Sequence, residues 1–174
     1  MQSGKYGSGI HLPNWGTIDD NIISLGNHDN DCLGNVMLCP KGVTMSIWFK
    51  APTQAHVWPW ILNSPAFRLF VEILSDGRLK PTFGLDGTLY DYQGEPLTLN
   101  EWHLIVYTYK DLGFNVYIDG CKLPIYFRKI LAAQQGIYEI GCKLYANCMT
   151  LTVDDFRFWG EQKDDHFIWW LWSQ

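Results

Sequence analysis

Charge is scarce in this 174-residue chain. Asp, Glu, Lys and Arg together make up 18%, with 13 basic residues against 18 acidic ones and a net charge of −5. Nucleic-acid affinity comes mainly from Lys and Arg on phosphates, and no basic cluster offsets the acidic balance, so a nucleic-acid partner is excluded. Long apolar runs are missing too. The stretch FIWWLW, Phe167 to Trp172, is intensely apolar but far shorter than the ~20 residues of a membrane helix, so no membrane insertion is expected. The opening MQSGKYGSG lacks the apolar core of a signal peptide, which reads as a mature or excised fragment, or as a chain not secreted by that route. The five cysteines form no C-x-x-C and have no close pair of histidines beside them, which argues against structural zinc. No long amphipathic helix, no fixed-period repeat and no low-complexity linker is visible.

What the chain has instead is apolar and aromatic residues, 47% and 16%, with nine each of Trp, Tyr and Phe. Flat rings in this abundance suit the space between packed sheets. Nearly every segment alternates with period two. VTMSIWFK places Val43, Met45, Ile47 and Phe49 on one face and Thr44, Ser46, Trp48 and Lys50 on the other. NIISLG, FRLFVEIL, LKPTFGL, WHLIVYTY, FNVYI, GIYEIG and TLTVDDFRFW read as further strands. KDLG joins two of them as a hairpin, by its length and its glycine. Asp119-Gly120 ends another strand as a turn pair, so Asp119→Asn is expected to matter little and Gly120→Val to impair folding. FRKILAAQQ allows one or two helical turns, and DDHFIWWLW can start a terminal helix. The expectation is one domain over residues 1–174, all-β, an antiparallel sandwich or barrel.

Cys32 and Cys39 bracket a short loop, DCLGNVMLC, and Cys142 and Cys148 bracket another of similar size. Both spacings suit local disulfides and an oxidising, extracellular setting; the alternative is five reduced, buried thiols. Any full pairing leaves one cysteine over. Cys121 is either that odd thiol, open to linking two chains into a dimer, or a partner of Cys142 or Cys148.

EWHLIVYTYKDLGFNVYIDG resembles the signature hairpin of laminin-G-like and pentraxin-like domains: a Trp-His strand start, a Tyr-ending strand and a Tyr-x-Asp-Gly strand end. TLTVDDFRFW after YEIG is similar to the closing strands of that family, VTMSIWFKAP to an early one, NIISLG to the strand before it, and FRLFVEIL with DGRL to the central hairpin. Together these pieces cover roughly Asn21 to Trp172 in order. The resemblance implies a concanavalin A-like jelly roll, and a range of functions from glycan binding to protein adhesion, often with calcium at the sandwich rim. Some relatives hydrolyse β-glucans with a Glu-x-Asp-x-x-Glu strand, whose spacing sets the carboxylates on one face. No such run occurs here, and no nucleophile elbow, so no catalytic residue is assigned.

Candidate ligand groups follow from residue type. Calcium takes hard oxygen ligands, and Asp29, Asn30 and Asp31 in NHDND offer the densest set, although Asp and Asn are also ordinary turn formers. Sugar binding uses aromatic platforms, for which Trp58 and Trp60 in HVWPW, a motif that cannot lie in a central strand, and Tyr90 and Tyr92 in LYDYQG are the candidates; the bland alternative is that these rings fill the core. In an unbulged strand Asp154 shares a face with Phe156 and Phe158 and finds backbone N–H donors from a neighbouring turn. FIWWLW packs back on a sheet edge or face, or else marks a protein interface. The expected protein is a non-catalytic extracellular recognition or adhesion module for a glycan or an extracellular protein. The alternatives are a glucanase-like enzyme of the same fold and a structural, self-associating domain.

Overall fold

The computed structural model describes residues 2–12, 22–51, 60–63, 67–74, 79–85, 88–92, 94–95, 97–124, 127–128, 137–141 and 151–174. One sheet contains β1 (Gln2–Gly4), β2 (Gly7–Leu12), β4 (Val43–Lys50), β9 (His103–Lys110), β10 (Gly113–Ile118), β11 (Cys121–Lys122), β12 (Phe127–Arg128) and β14 (Leu151–Trp159). Its order is β1-β2-β14-β4-β9-β10-β11, with β12 also paired to β10. The second contains β3 (Ile22–Asn27), β5 (Trp60–Asn63), β6 (Phe67–Ile73), β7 (Leu79–Leu85), β8 (Thr88–Asp91) and β13 (Ile137–Gly141), in the order β3-β13-β5-β6-β7-β8. Every recorded pairing is antiparallel. This is the antiparallel sandwich expected from the alternation and the jelly roll that the resemblance implied. Cys142, Cys148, Trp58 and most of FRKILAAQQ lie outside the described residues.

The alternation sorts side chains as the pleat requires. Val43, Met45, Ile47 and Phe49 of β4, Ile105 and Tyr107 of β9, and Phe114 and Val116 of β10 meet Leu69, Phe83 and Ile140 of the other sheet in the core. Tyr107 stacks on Phe114 at 5.5 Å and meets Phe83 edge-on at 5.9 Å, so rings bridge the layers.

The opposite face of the first sheet is not left to water. Thr44, Ser46, Trp48, Leu104, Val106 and Thr108 are all buried. A terminal helix α1 (Asp165–Ser173) lies there, with Ile168 and Leu171 packed against Trp48, Leu104, Val106 and Tyr117. The polar members of the alternation receive this covering segment. Thr44 Oγ1 donates to the Glu161 carbonyl and accepts from Lys163 N, each at 2.9 Å, and Gln162 Nε2 donates to Thr108 Oγ1 at 3.2 Å. Asp164 caps the helix by accepting from Phe167 N at 2.8 Å. A nine-residue helix is too short to hold itself in water, so packing sustains it.

KDLG is the expected hairpin, though its glycine is not the turn residue, and one expectation about β14 needs correction. Lys110 pairs directly with Gly113, so the β9–β10 turn consists of Asp111 and Leu112, at φ 49° and 71°, and Gly113 already belongs to β10. Strand β14 is bulged. Asp154 opposes Trp48 whereas Arg157 opposes Ser46, so Asp155 and Phe156 stand against Ile47 alone, with Asp155 at φ 50°. The extra residue flips the parity. Asp154 therefore shares the helix-side face with Trp48, while Phe156 and Phe158 pack on the inner core. The expected donors are present: Asp154 accepts from Tyr6 N in the β1–β2 turn at 3.0 Å and from Asp155 N at 2.8 Å.

Candidate functional site

The two ends of the sandwich differ in chemistry. At the end where β9 begins, His103 is buried between two acceptors. Its Nδ1 lies 2.7 Å from Asp119 Oδ2 and its Nε2 lies 2.9 Å from the Thr98 carbonyl. Asp119 Oδ1 also accepts from Leu104 N at 2.8 Å, and Asp119 N donates to the Leu104 carbonyl at 2.9 Å. Burial pulls the His103 pKa down, but the hydrogen bond and charge of Asp119, with the Thr98 carbonyl and Glu101, outweigh it and leave it raised. A His-Asp pair resembles part of a catalytic triad, yet the nitrogen that would activate a nucleophile is taken by a backbone carbonyl. The pair is a clamp between β9 and the Asp119-Gly120 corner. That corner is a hairpin turn with both residues at positive φ, 49° and 78°, and a Cβ on Gly120 would come within 3.2 Å of the Trp172 ring.

At the opposite end, residues 28–42 form a compact loop. Asp31 organises it. Its Oδ1 accepts from Leu33 N at 2.9 Å and Gly34 N at 3.2 Å, and its Oδ2 meets His28 Nδ1 at 2.6 Å. Burial raises the Asp31 carboxyl, but His28 and the two amides hold it below the usual carboxylate range; Asp31, with the Leu25 carbonyl, raises His28. Asn35 accepts from Met37 N at 3.1 Å and starts a single 3-10 turn, Val36–Leu38. The Cys32–Cys39 disulfide closes the loop, as its spacing suggested. Cross-linking so short a loop contributes about 2 kcal/mol through the unfolded chain. The double variant Cys32→Ser, Cys39→Ser is expected to lower the denaturation midpoint accordingly, and urea titration measures it.

Between this loop and the β9–β10 turn runs an open groove of about 490 Å³, walled by Val36, Met37, Pro40, Tyr109 and Leu112, with Lys110 and Asp111 at its edge. Gly42 makes the close approach. It sits at φ 82°, and a Cβ there would lie 2.5 Å from the Tyr109 carbonyl oxygen and 2.8 Å from Lys110 Cβ. Gly42→Ala should therefore cost about 2 kcal/mol and distort the groove, visible as a lowered melting temperature.

The residues singled out in the sequence fall as follows. Asp29 and Asp31 turn their oxygens to protein donors, Asn27 Nδ2 reaching Asp29 Oδ2 at 2.9 Å. Asn30 is an exposed residue of the same turn. A calcium ion takes six to eight oxygens, and the set does not fit as it stands, because both Asp31 oxygens are occupied. Among the described residues no group of three or more His, Cys, Asp or Glu gathers. Trp60 opens β5 opposite Phe70, in a strand flanked on both sides, so the strand starts directly after Pro59. Tyr90 and Tyr92 do share a face, and it is the inner one. Tyr90 opposes Phe83, and both tyrosines pack half-buried on the core, filling the gap at the edge strand. Burial, then the charges of Glu95, Asp119 and Cys121, raise the Tyr92 hydroxyl. Cys121 is a free, exposed thiol. Two features escaped the sequence reading. One is the groove itself. The other is the outward side of α1, where Trp169, Trp170 and Trp172 are exposed even though the helix packs back on the sheet.

The family model for the concanavalin A-like lectin/glucanases superfamily matches residues 25–162. No curated protein sequence matches the chain. Three solved structures illustrate the likeness. The binding domain of Paraclostridial Mosquitocidal Protein 1 is 14% identical with a TM-score of 0.69, over 98% of this chain and 44% of that one. Domain 4 of AbnA, a GH43 extracellular arabinanase from Geobacillus stearothermophilus in complex with arabinotriose, is 15% identical with a TM-score of 0.68, over 98% of this chain and 79% of that one. The SAP-like pentraxin from Limulus polyphemus is 13% identical with a TM-score of 0.53, over 74% and 68%. At such identities the likeness concerns the fold. The chain spans less than half the length of the mosquitocidal binding domain.

Proposed function

The chain belongs to the concanavalin A-like lectin/glucanases superfamily, and on that premise we propose that it is a non-catalytic recognition or adhesion module for a glycan or another protein. The observation that carries this reading is the ready-made rim groove, held open by a disulfide-closed loop at one end of a rigid sandwich. Against a glucanase stand the missing Glu-x-Asp-x-x-Glu strand and the engagement of His103 Nε2 by the Thr98 carbonyl at 2.9 Å, while the Thr98 hydroxyl 3.4 Å away is bonded to Glu101. Supporting a ligand-binding role, domain 4 of AbnA was solved with arabinotriose. Trp58, Trp60, Tyr90 and Tyr92 remain sugar-contact proposals, with the two tyrosines able to contribute only their half-exposed edges. An extracellular setting, secreted or as an ectodomain, is proposed from the Cys32–Cys39 disulfide.

A glycan array run beside a β-glucan hydrolysis assay tests the reading: ligand capture without turnover is expected, and turnover of the polysaccharide would contradict it. Calcium at Asp29, Asn30 and Asp31 requires displacing the Asp31 hydrogen bonds; a melting midpoint that rises with calcium and falls with EGTA supports it, and an unchanged midpoint removes it. Dimerisation through Cys121 predicts a size-exclusion shift abolished by reductant, and a monomer under both conditions contradicts it.

A further inference from the structure

We propose that the rim groove takes an extended polypeptide segment bearing one large apolar side chain between an acidic and a basic residue. This rests on the recognition reading above and names the ligand class for it. The wall decides against a sugar. Met37 is 58% exposed, Pro40 is exposed and Leu112 is half-buried, an aliphatic and thioether surface laid over the buried Val36. Tyr109 is only 5% exposed and shows no ring face for a sugar to stack on. Hydroxyls pressed on such a wall would lose water without gaining partners, whereas a Leu, Met or Phe side chain fits it, and the flexible thioether adapts to several shapes.

The edge supplies the second observation. Lys110 and Asp111 are adjacent and exposed, and neither has a side-chain partner among the described residues. An acid on the ligand pairs with Lys110 and a base with Asp111, which fixes the direction of an entering chain. The groove, about 490 Å³, holds a few residues, not the ~800 Å² patch per partner of a folded-surface contact.

The third observation is where the backbone is strained. Asp-Gly would make the same two-residue turn freely, yet the second position is Leu112 at φ 71°. An apolar side chain without β-branching costs about 1 kcal/mol in this region. Glycine would relieve the strain but remove a piece of the wall. Leu112 is thus assigned as a specificity-determining residue retained against stability.

The experiment selects a displayed library of random peptides on the folded domain and re-tests the winners on variants. The expected winners share one large apolar residue flanked by Asp or Glu and by Lys or Arg. Met37→Asp, at an exposed position that leaves the fold intact by circular dichroism, should weaken them about tenfold or more. Leu112→Gly should weaken them similarly while holding or raising the melting temperature. Lys110→Glu should shift the flanking preference from acid to base. Winners that bind Met37→Asp undiminished, or a selection that yields none, would overturn the groove's assignment; so would a wild-type dimer that Met37→Asp dissolves, since a second copy would then be the occupant. The same sample on a glycan array separates the two levels: sugar capture with no peptide winners removes this inference and leaves the recognition reading standing, while silence in both removes both.

Discussion

Asp119→Ala is expected to cost about 3 kcal/mol of folding stability, seen as a lower urea midpoint at unchanged slope. The carboxylate accepts from Leu104 N at 2.8 Å and meets His103 Nδ1 at 2.7 Å, and both partners are buried. Alanine leaves two buried donors without acceptors, each at about 1–3 kcal/mol. Asp119→Asn behaves differently, and pH separates the two. The amide oxygen still accepts from Leu104 N, but the Nδ2 amide must meet His103 as a donor. A neutral imidazole can accept it at Nδ1 and donate from Nε2 to the Thr98 carbonyl, so at pH 8 the change is expected to be small. The wild-type ring faces acceptors on both sides, which favours the imidazolium; its folded-state pKa is raised. Its contribution is therefore complete below the unfolded value near 6.5 and is lost as pH rises through the folded one. Wild type should lose stability between pH 6 and pH 8, and Asp119→Asn should flatten that slope. A penalty for the asparagine that grows as pH rises would contradict the clamp.

Leu171→Asp is expected to abolish folding or to cost more than about 4 kcal/mol. Leu171 is fully buried, and with Ile168 it closes the face made by Trp48, Leu104, Val106 and Tyr117. Lys5, Lys122 and Lys163 lie over the Trp48, Tyr117 and Phe167 rings. Leu171 itself, however, is fully buried among apolar side chains, and burying a charge at such a position is among the few single changes of that size. Tyr117 donates to Asp165 Oδ1 at 2.6 Å, and its hydroxyl is raised, first by burial and then by Asp165, so the polar rim of this face is already assigned. The milder Leu171→Ala should cost about 2–4 kcal/mol through its cavity. Wild-type melting in Leu171→Asp would show α1 to be an appendage instead of the second layer over the sheet.

Strands were legible because burial between two sheets enforces period two, as in Val43 to Lys50, and because Asp119-Gly120 declares its turn chemically. The Cys32–Cys39 bridge was legible from spacing alone. The outward face of β4 was harder. The pattern placed Thr44 and Ser46 on the second face without saying what covers it; Glu161 to Lys163, more than a hundred residues away, arrive there. The β14 bulge was invisible, since one extra residue flips a face without changing the composition, and so Asp154 was given the wrong neighbours. The tyrosine pair was found, but whether a strand face points inward depends on its partner, here Phe83. The groove joins Met37 to Leu112, far apart in sequence. Its one local trace is the second turn residue of KDLG, a leucine where the turn geometry calls for glycine.

The most direct test of the account is amide chemical-shift mapping of the folded domain, titrated with a peptide selected on it. Perturbations concentrated at Val36 to Gly42 and Tyr109 to Leu112, and lost in Met37→Asp, are predicted. Perturbations centred instead on Tyr90 and Tyr92, or on the exposed tryptophans Trp169 to Trp172, would place recognition elsewhere and contradict the rim groove as the binding site.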